Sequence, residues 1–190
     1  ADKGREHRLD TLFWECTLRC NLACRHCGSD CRTDSGVKDM PAEDFLRVLD
    51  EEVTPHVDPA GVLVILSGGE VLVRDDLERI GSEIARRGYP WGMVTNGLAL
   101  TPERLHGLIR AGLRTISVSL DGFEREHNRI RRNPASFARA MDAVRHIVRE
   151  PELAFDVVTC VTEPLVPQGR SRRAANGAPP RRRAGRGRLR

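Results

Sequence analysis

Three cysteines stand close together near the amino end of the chain in the spacing C-x3-C-x2-C. They are Cys20, Cys24 and Cys27, and an apolar run that is predicted to form a strand precedes them. Three thiolates on one short loop can hold three irons of a [4Fe-4S] cluster, which leaves the fourth iron without a protein ligand. Because an open iron can bind a small molecule, the spacing predicts chemistry rather than electron storage.

Two further cysteines, Cys16 and Cys31, flank the three and leave a zinc site open as an alternative. The gaps between the five would also place them on one side of a helix. Structural zinc sites usually pair two short cysteine hooks across a longer loop, whereas these five fall within 16 residues. The sequence therefore favours the cluster. Disulfides are disfavoured, since six cysteines in 190 residues are few and no secretory signal is recognisable.

Four more apolar runs predict strands, and the first three of these end in polar or glycine-containing segments. The runs begin near Val62, Trp91, Thr115 and Phe155. The segments that follow the first three are Ser67-Gly68-Gly69-Glu70, Asn96-Gly97 and Asp121-Gly122. Each run is short and continuous, as in strands that are buried on both faces of a parallel sheet.

Amphipathic segments with helix start signals separate the strands. Helices are predicted over about 41–49, 75–87, 101–110 and 136–149, with Thr101 as an N-cap before Pro102. The alternation of five strands and four helices predicts an α/β fold with a parallel sheet. Its carboxyl edge would gather the cysteine loop and the polar segments.

These motifs together resemble the core of a radical S-adenosylmethionine (radical SAM) enzyme, in the branch whose members often carry a SPASM or twitch domain. The resemblance covers residues 8–163 and implies a partial TIM barrel of the (β/α)6 type with the last strand-helix units missing. Residues 1–7 would be an N-terminal extension, and residues 164–190 a disordered arginine-rich tail.

The resemblance also implies roles for eleven residues. The cluster would be held by Cys20, Cys24 and Cys27. S-adenosylmethionine would be held by the remaining eight: Gly68, Gly69 and Glu70 at its amino group, Ser119 and Arg131 at its carboxylate, Asn96 and Asp121 near the nucleotide, and His26 beside the adenine.

The activity that this family resemblance implies is reductive cleavage of S-adenosylmethionine. A 5'-deoxyadenosyl radical would form and abstract a substrate hydrogen, for peptide or protein modification or for cofactor maturation. An electron donor such as flavodoxin or ferredoxin and a cytoplasmic location are expected, with no membrane association. No general base is assigned.

Some positions depart from the family pattern or carry other expectations. Val71 stands where the family usually has proline. Cys16 and Cys160 are predicted to be small core residues, Cys31 a free thiol beside the loop, and His127 part of a solvated helix start.

The end of the chain changes composition abruptly. Residues 164–190 hold nine arginines and no acidic residue, while residues 1–163 carry 22 basic and 27 acidic residues, a net charge of −5. The segment is too poor in apolar residues to fold and is expected to be disordered. A shifted reading frame or a premature end is expected, leaving the fifth strand with an unpaired edge. The alternative function is a zinc-binding module whose basic tail binds nucleic acid, which is disfavoured.

Overall fold

The computed structural model describes residues 8–161, and these contain a five-stranded parallel sheet in the order β1-β2-β3-β4-β5. Residues 1–7 and 162–190, and with them the predicted tail, lie outside the described residues. The strands are β1 Thr11–Thr17, β2 Leu63–Gly68, β3 Trp91–Thr95, β4 Leu113–Ser119 and β5 Ala154–Val158. The predicted α/β fold with a parallel sheet is therefore confirmed.

Five α-helices connect the strands, one more than the sequence predicted. They are α1 Ala42–Val48, α2 Leu77–Arg86, α3 Pro102–Arg110, α4 Glu124–Arg131 and α5 Ser136–Ile147. The first continues through a π turn at Leu49–Val53 and a 3-10 turn at Thr54–His56. The additional helix is α4, which follows the end of β4 directly.

The main core lies between the sheet and its helices. Alternate side chains of the strands face this layer, among them Leu66, Trp91 and Ile116, all fully buried. On the opposite, inner face Gly92 packs so closely that a Cβ there would overlap Thr115 and come within 2.9 Å of Ile65. The helices thus hold one face of the sheet rigid, and the carboxyl ends of the strands project from that support.

The predicted helix signals act locally as expected. Thr101 caps α3, because its Oγ1 accepts a hydrogen bond from the Arg104 N–H at 3.2 Å, and Pro102 occupies the first helical position. Gly88 and Gly112 follow α2 and α3 with φ of 86° and 93°, a left-handed conformation that glycine adopts without steric cost. Both helices therefore end where a glycine can take this conformation.

The fifth strand lies at the edge of the sheet, and all five of its residues are exposed. It pairs with β4, and no second neighbour covers its other side among residues 8–161. The unpaired edge was predicted. The prediction for Cys160 was wrong: it is exposed, and no helix follows β5 among residues 8–161 to cover it. The described part of the chain contains no helix that is long and apolar enough to cross a membrane.

Candidate functional site at the carboxyl edge of the sheet

The three motif cysteines lie on a loop that leaves β1 and is closed at its base by backbone pairing. Arg19 and Arg32 form an isolated parallel bridge. The Cys20 N–H donates to the Arg32 carbonyl at 2.9 Å, and the Arg32 N–H donates to the Leu18 carbonyl at 3.3 Å. We call residues 18–32 the cluster loop. Its irregular course rules out the cysteine stripe along a helix that the spacing had allowed.

A partly buried ion-pair network, which the sequence analysis missed, supports the base of this loop. Asp39 accepts hydrogen bonds from Thr17 Oγ1 at 2.7 Å and from Arg19 Nη2 at 2.6 Å. Arg74 is 4% exposed, donates to the Cys16 carbonyl at 2.6 Å and pairs with Asp76. No motif marks these residues, since their charges meet only after β1 and β2 have paired.

Nine of the eleven predicted site residues line one cavity of about 200 Å³ at the carboxyl edge of the sheet. They are Cys20, Cys24, His26, Cys27, Gly68, Gly69, Asn96, Ser119 and Arg131. Glu70 and Asp121 are buried behind this lining. The cluster loop, the ends of β2, β3 and β4, and helix α4, far apart in sequence, therefore converge on a single concave site.

The three cysteines differ in exposure: Cys20 is buried, Cys24 half-buried and Cys27 exposed. Burial raises the pKa of the Cys20 and Cys24 thiols, against the lowering effect of the Arg131 charge on Cys24. Backbone N–H groups point at two sulfurs, from Leu22 to Cys20 Sγ at 3.4 Å and from Cys31 to Cys27 Sγ at 3.3 Å. Such donors suit sulfurs that become thiolates on binding a metal.

The described residues do not bring three ligands together at one position for a single zinc ion. Within residues 8–161 no group of three or more histidine, cysteine, aspartate or glutamate side chains converges on one metal position. A zinc ion needs its sulfurs at about 2.3 Å, whereas a four-iron cluster takes one sulfur at each of several separate irons. The described residues therefore do not support the zinc alternative, whereas three thiols on one loop, two of them facing backbone N–H donors, suit a cluster.

Cys31 differs from its expected surroundings. It was predicted to be a free thiol beside the loop, but it is 5% exposed and lines the cavity with the three motif cysteines. Burial raises the pKa of its thiol to about 12. Cys16, by contrast, lies in the main core as predicted.

The two glycines that end β2 permit close contact with β1. A Cβ on Gly68 would overlap the Thr17 carbonyl oxygen, and a Cβ on Gly69 would overlap that of Arg19. The Gly69 N–H donates to the Thr17 carbonyl at 2.8 Å, and the Glu70 N–H to the Arg19 carbonyl at 3.0 Å. Both N–H groups are therefore already paired within the protein. Carbonyl oxygens are the groups that this turn can offer to the amino group of a ligand.

Glu70 acts inside the wall of the cavity. Its fully buried carboxylate accepts hydrogen bonds from the Leu72 N–H at 3.1 Å, Thr95 Oγ1 at 2.7 Å and the Asn96 N–H at 2.7 Å. Burial raises the pKa of this carboxyl, and the three donors oppose that effect. The side chain thereby fixes the end of β3 relative to the end of β2.

Asn96 joins the end of β3 to the cluster loop. Its Nδ2 donates to Asn21 Oδ1 at 2.8 Å and approaches Cys20 Sγ at 3.9 Å, while its Oδ1 accepts from the Leu98 N–H at 2.9 Å. The amide is thus held in one orientation at the cavity surface, beside a predicted cluster ligand.

Asp121 connects four segments of the carboxyl edge and is 1% exposed. Its Oδ2 accepts from Arg131 Nε at 2.9 Å and lies 3.2 Å from His26 Nε2. Its Oδ1 accepts from the Cys160 N–H at 3.0 Å. One carboxylate therefore orients two cavity-lining side chains, on the cluster loop and on α4, and holds the end of β5.

His127 supports this arrangement from behind and was not recognised as important from sequence. The Asp121 N–H donates to its Nδ1 at 3.0 Å, and its Nε2 lies 2.9 Å from Ser136 Oγ. Burial, and then the charge of Arg131, lower the pKa of His127 to about 4. The expected solvated helix start was wrong, since His127 and Arg131, one turn apart on α4, are both buried. That i, i+4 spacing was the available signal.

Comparison with known proteins accounts for this arrangement of cysteine loop and strand ends. The family model of the radical SAM superfamily matches residues 14–161. The chain belongs to this superfamily. Radical SAM proteins use a [4Fe-4S] cluster and S-adenosylmethionine, the two groups that the lining residues fit.

Curated relatives of this radical SAM chain include proteins with different activities. It is 34% identical over 157 residues to the AdoMet-dependent heme synthase of Methanosarcina barkeri, covering 80% of this chain and 42% of that protein. It is 38% identical over 118 residues to the GTP 3',8-cyclase of Rhodococcus opacus, and this match covers 58% of this chain and 32% of that protein. The chain thus spans less than half the length of these relatives.

Solved structures show the same fold at lower identity. Tagged anSMEcpe with bound AdoMet superposes with a TM-score of 0.69 at 17% identity, over 85% of this chain and 46% of that one. Streptococcus suis SuiB bound to precursor peptide SuiA superposes with a TM-score of 0.63 at 16% identity, over 78% of this chain and 32% of that one. These likenesses confirm the predicted partial radical SAM barrel.

Proposed function

We propose that this chain is the radical-generating core of a radical SAM enzyme. The observation that carries the proposal is the convergence of Cys20, Cys24 and Cys27 with six further predicted residues on one cavity at the carboxyl edge of the sheet. When bound, the cluster would supply one electron to the sulfonium of S-adenosylmethionine, which yields methionine and the 5'-deoxyadenosyl radical.

The protein's own residues would bind and orient the two groups. The three thiolates would hold the cluster. Gly68 and Gly69 offer carbonyl oxygens to the methionine amino group, and Ser119 and Arg131 offer donors to its carboxylate. Because Arg131 Nε is already held by Asp121, its guanidinium faces the cavity in a fixed orientation. Preorganised donors of this kind lose little free energy to reorientation when a ligand binds.

Two other predicted cofactor residues act through their neighbours. Glu70 sets the position of Asn96, and Asp121 sets the positions of Arg131 and His26. Their removal would therefore misplace cavity groups rather than delete a direct contact with S-adenosylmethionine.

The substrate class we propose is a peptide, a protein or a cofactor precursor. PqqA peptide cyclase of Methylocella silvestris, 34% identical over 114 residues, and SuiB with its precursor peptide favour a peptide. The heme synthase and GTP cyclase relatives favour a cofactor precursor. We also propose a flavodoxin or ferredoxin as electron donor and a cytoplasmic location, where thiols stay reduced.

The deciding experiment is anaerobic reconstitution with iron and sulfide, followed by reduction with dithionite and assay of 5'-deoxyadenosine. We expect the parent chain to bind the cluster and to release 5'-deoxyadenosine from S-adenosylmethionine. Cys24→Ala should abolish release, at least a hundredfold, because one of the three cluster ligands is gone.

Cys160→Ser is the matched control, since this cysteine is exposed and lies outside the cavity lining. It should retain both the cluster absorbance and the release of 5'-deoxyadenosine. A parent chain that binds the cluster without cleaving S-adenosylmethionine, or equal activity of the Cys24→Ala variant, would contradict the proposal.

A further inference from the structure

Three exposed arginines lie together beside the cluster loop, and we call Arg25, Arg129 and Arg132 the arginine patch. Arg25 lies on the loop between Cys24 and Cys27. Arg129 lies in the last turn of α4, and Arg132 is its C-cap. The Arg25 N–H donates to the carbonyl of Ile130 at 2.8 Å, which fixes the loop against the helix end that carries the other two arginines.

The charge of the patch is not neutralised. Among residues 8–161 none of the three arginines forms an ion pair, whereas many surface arginines elsewhere pair with a carboxylate. Of the two acidic residues in the first turn of α4, Glu126 lies three residues before Arg129, but it is buried and its carboxylate pairs with Arg125 at 2.9 Å. The negative end of the helix dipole stabilises cations at its carboxyl terminus, so the patch can persist there as a local positive field.

The position of the patch coincides with the accessible side of the cluster loop. Cys27 is exposed and Cys24 half-buried, while Cys20 is buried. Arg25 is next to Cys24 in sequence, so the patch borders the part of the loop that solvent reaches. Each reductive cleavage would need one electron from outside the protein, and Cys27 is the predicted cluster ligand most exposed to solvent.

We propose that the arginine patch docks an acidic one-electron carrier of the flavodoxin or ferredoxin class. In the docked complex the reduced carrier gives one electron to the oxidised cluster and is itself oxidised by one electron, and no bond forms or breaks in the protein. A positive surface facing an acidic partner speeds diffusional encounter and fixes its orientation. The inference rests on the proposed function, because it assumes a bound cluster.

The test measures cluster reduction separately from S-adenosylmethionine cleavage. The reconstituted chain is mixed with an acidic flavodoxin hydroquinone in a stopped-flow instrument, and the loss of the cluster's visible absorbance is followed at several salt concentrations. The double variant Arg129→Glu with Arg132→Asn should be reduced about tenfold more slowly at low salt, and its rate should depend less on salt. Asparagine is chosen because Arg132 has φ of 55°, which asparagine tolerates.

The matched control is Arg110→Glu with Arg149→Gln, which changes the net charge equally. Both arginines are exposed and follow or end helices at the opposite edge of the sheet. Flavodoxin should reduce the cluster of this control at a rate within about twofold of the rate for the parent. With dithionite, the parent and both double variants should release 5'-deoxyadenosine equally, because a small reductant needs no docking surface.

Unchanged reduction by flavodoxin in the patch variant would overturn the inference, as would an equal loss in the control. An effect of the patch variant on use of an acidic peptide substrate alone, with normal cluster reduction, would also overturn it. If flavodoxin reduces the cluster in a patch-dependent way but no 5'-deoxyadenosine forms even with dithionite, the docking surface stands and the proposed function fails.

Discussion

His127 is buried without charge at the back of the site, and this makes stability depend on pH. Its pKa is lowered from its ordinary 6.5 to about 4 in the folded chain. Between these values the unfolded chain binds a proton that the folded chain excludes, so the free energy of unfolding should fall as pH drops from 6.5 to 4. Each pKa unit corresponds to about 1.4 kcal/mol, so the loss approaches 3 kcal/mol.

Urea unfolding of the chain at a series of pH values would measure this dependence. His127→Gln preserves an acceptor and a donor but cannot titrate, so its unfolding free energy should change less over the same interval. The interpretation fails if parent and variant lose stability in parallel.

The sequence predicted most of the residues that line the cavity, but it did not predict the direction in which two carboxylate side chains point. Cysteine spacing and glycine-rich strand ends are local patterns, so they could be recognised in the sequence. Glu70 and Asp121 were also singled out, yet their side chains turn into the protein because the N–H groups of Asn96 and Cys160 need acceptors there. Such partners come from other strands, and no local pattern records them.

At the scale of elements, α2 packs on the sheet through Gly81. A Cβ there would overlap the ring of Trp91, which is fully buried and anchored by a hydrogen bond from its Nε1 to the Ala111 carbonyl at 3.0 Å. Gly81→Ala should therefore lower the free energy of unfolding by about 1–3 kcal/mol, although alanine favours helices. Thermal or urea unfolding would measure the change.

Gly107 on α3 provides the matched control. Its nearest neighbours would lie 3.8 Å or more from an added Cβ. Gly107→Ala should be neutral or raise the free energy of unfolding by up to about 1 kcal/mol. A stabilised Gly81→Ala variant would show that the ring of Trp91 can move aside.

The elements themselves were largely predictable, and α4 shows where prediction ended. The five strands and four of the helices were predicted from hydrophobic periodicity, which is a local property of the sequence. Helix α4 has a strongly polar sequence, Glu124 to Arg131, and buries His127 and Arg131 rather than an apolar stripe. The burial of His127 depends on Asp121 and Ser136, so the sequence could indicate a helix start here but not that this side of the helix is buried.

At the scale of the whole molecule, β5 presents apolar side chains to solvent. Phe155 and Val157 are 42% and 43% exposed. Exposed apolar strand edges favour association between chains. Phe155→Thr with Val157→Thr should therefore reduce self-association at high protein concentration, measured by sedimentation velocity. The unfolding free energy should change by no more than about 1 kcal/mol, because neither side chain is in the core.

Val148→Thr is the control, since Val148 is 55% exposed but lies beyond α5 rather than on a strand edge. It should leave the sedimentation profile unchanged. Equal association of the parent and the β5 variant would mean that this edge does not drive contact between chains.

The bridge between Arg19 and Arg32 bears on the biogenesis of the holoprotein. That pairing and the Asp39 network hold the base of the cluster loop through contacts within the protein. The entropy of closing the loop is then borne by folding of the chain rather than by iron binding. An assembled cluster would then bind to a loop whose base the protein already holds closed.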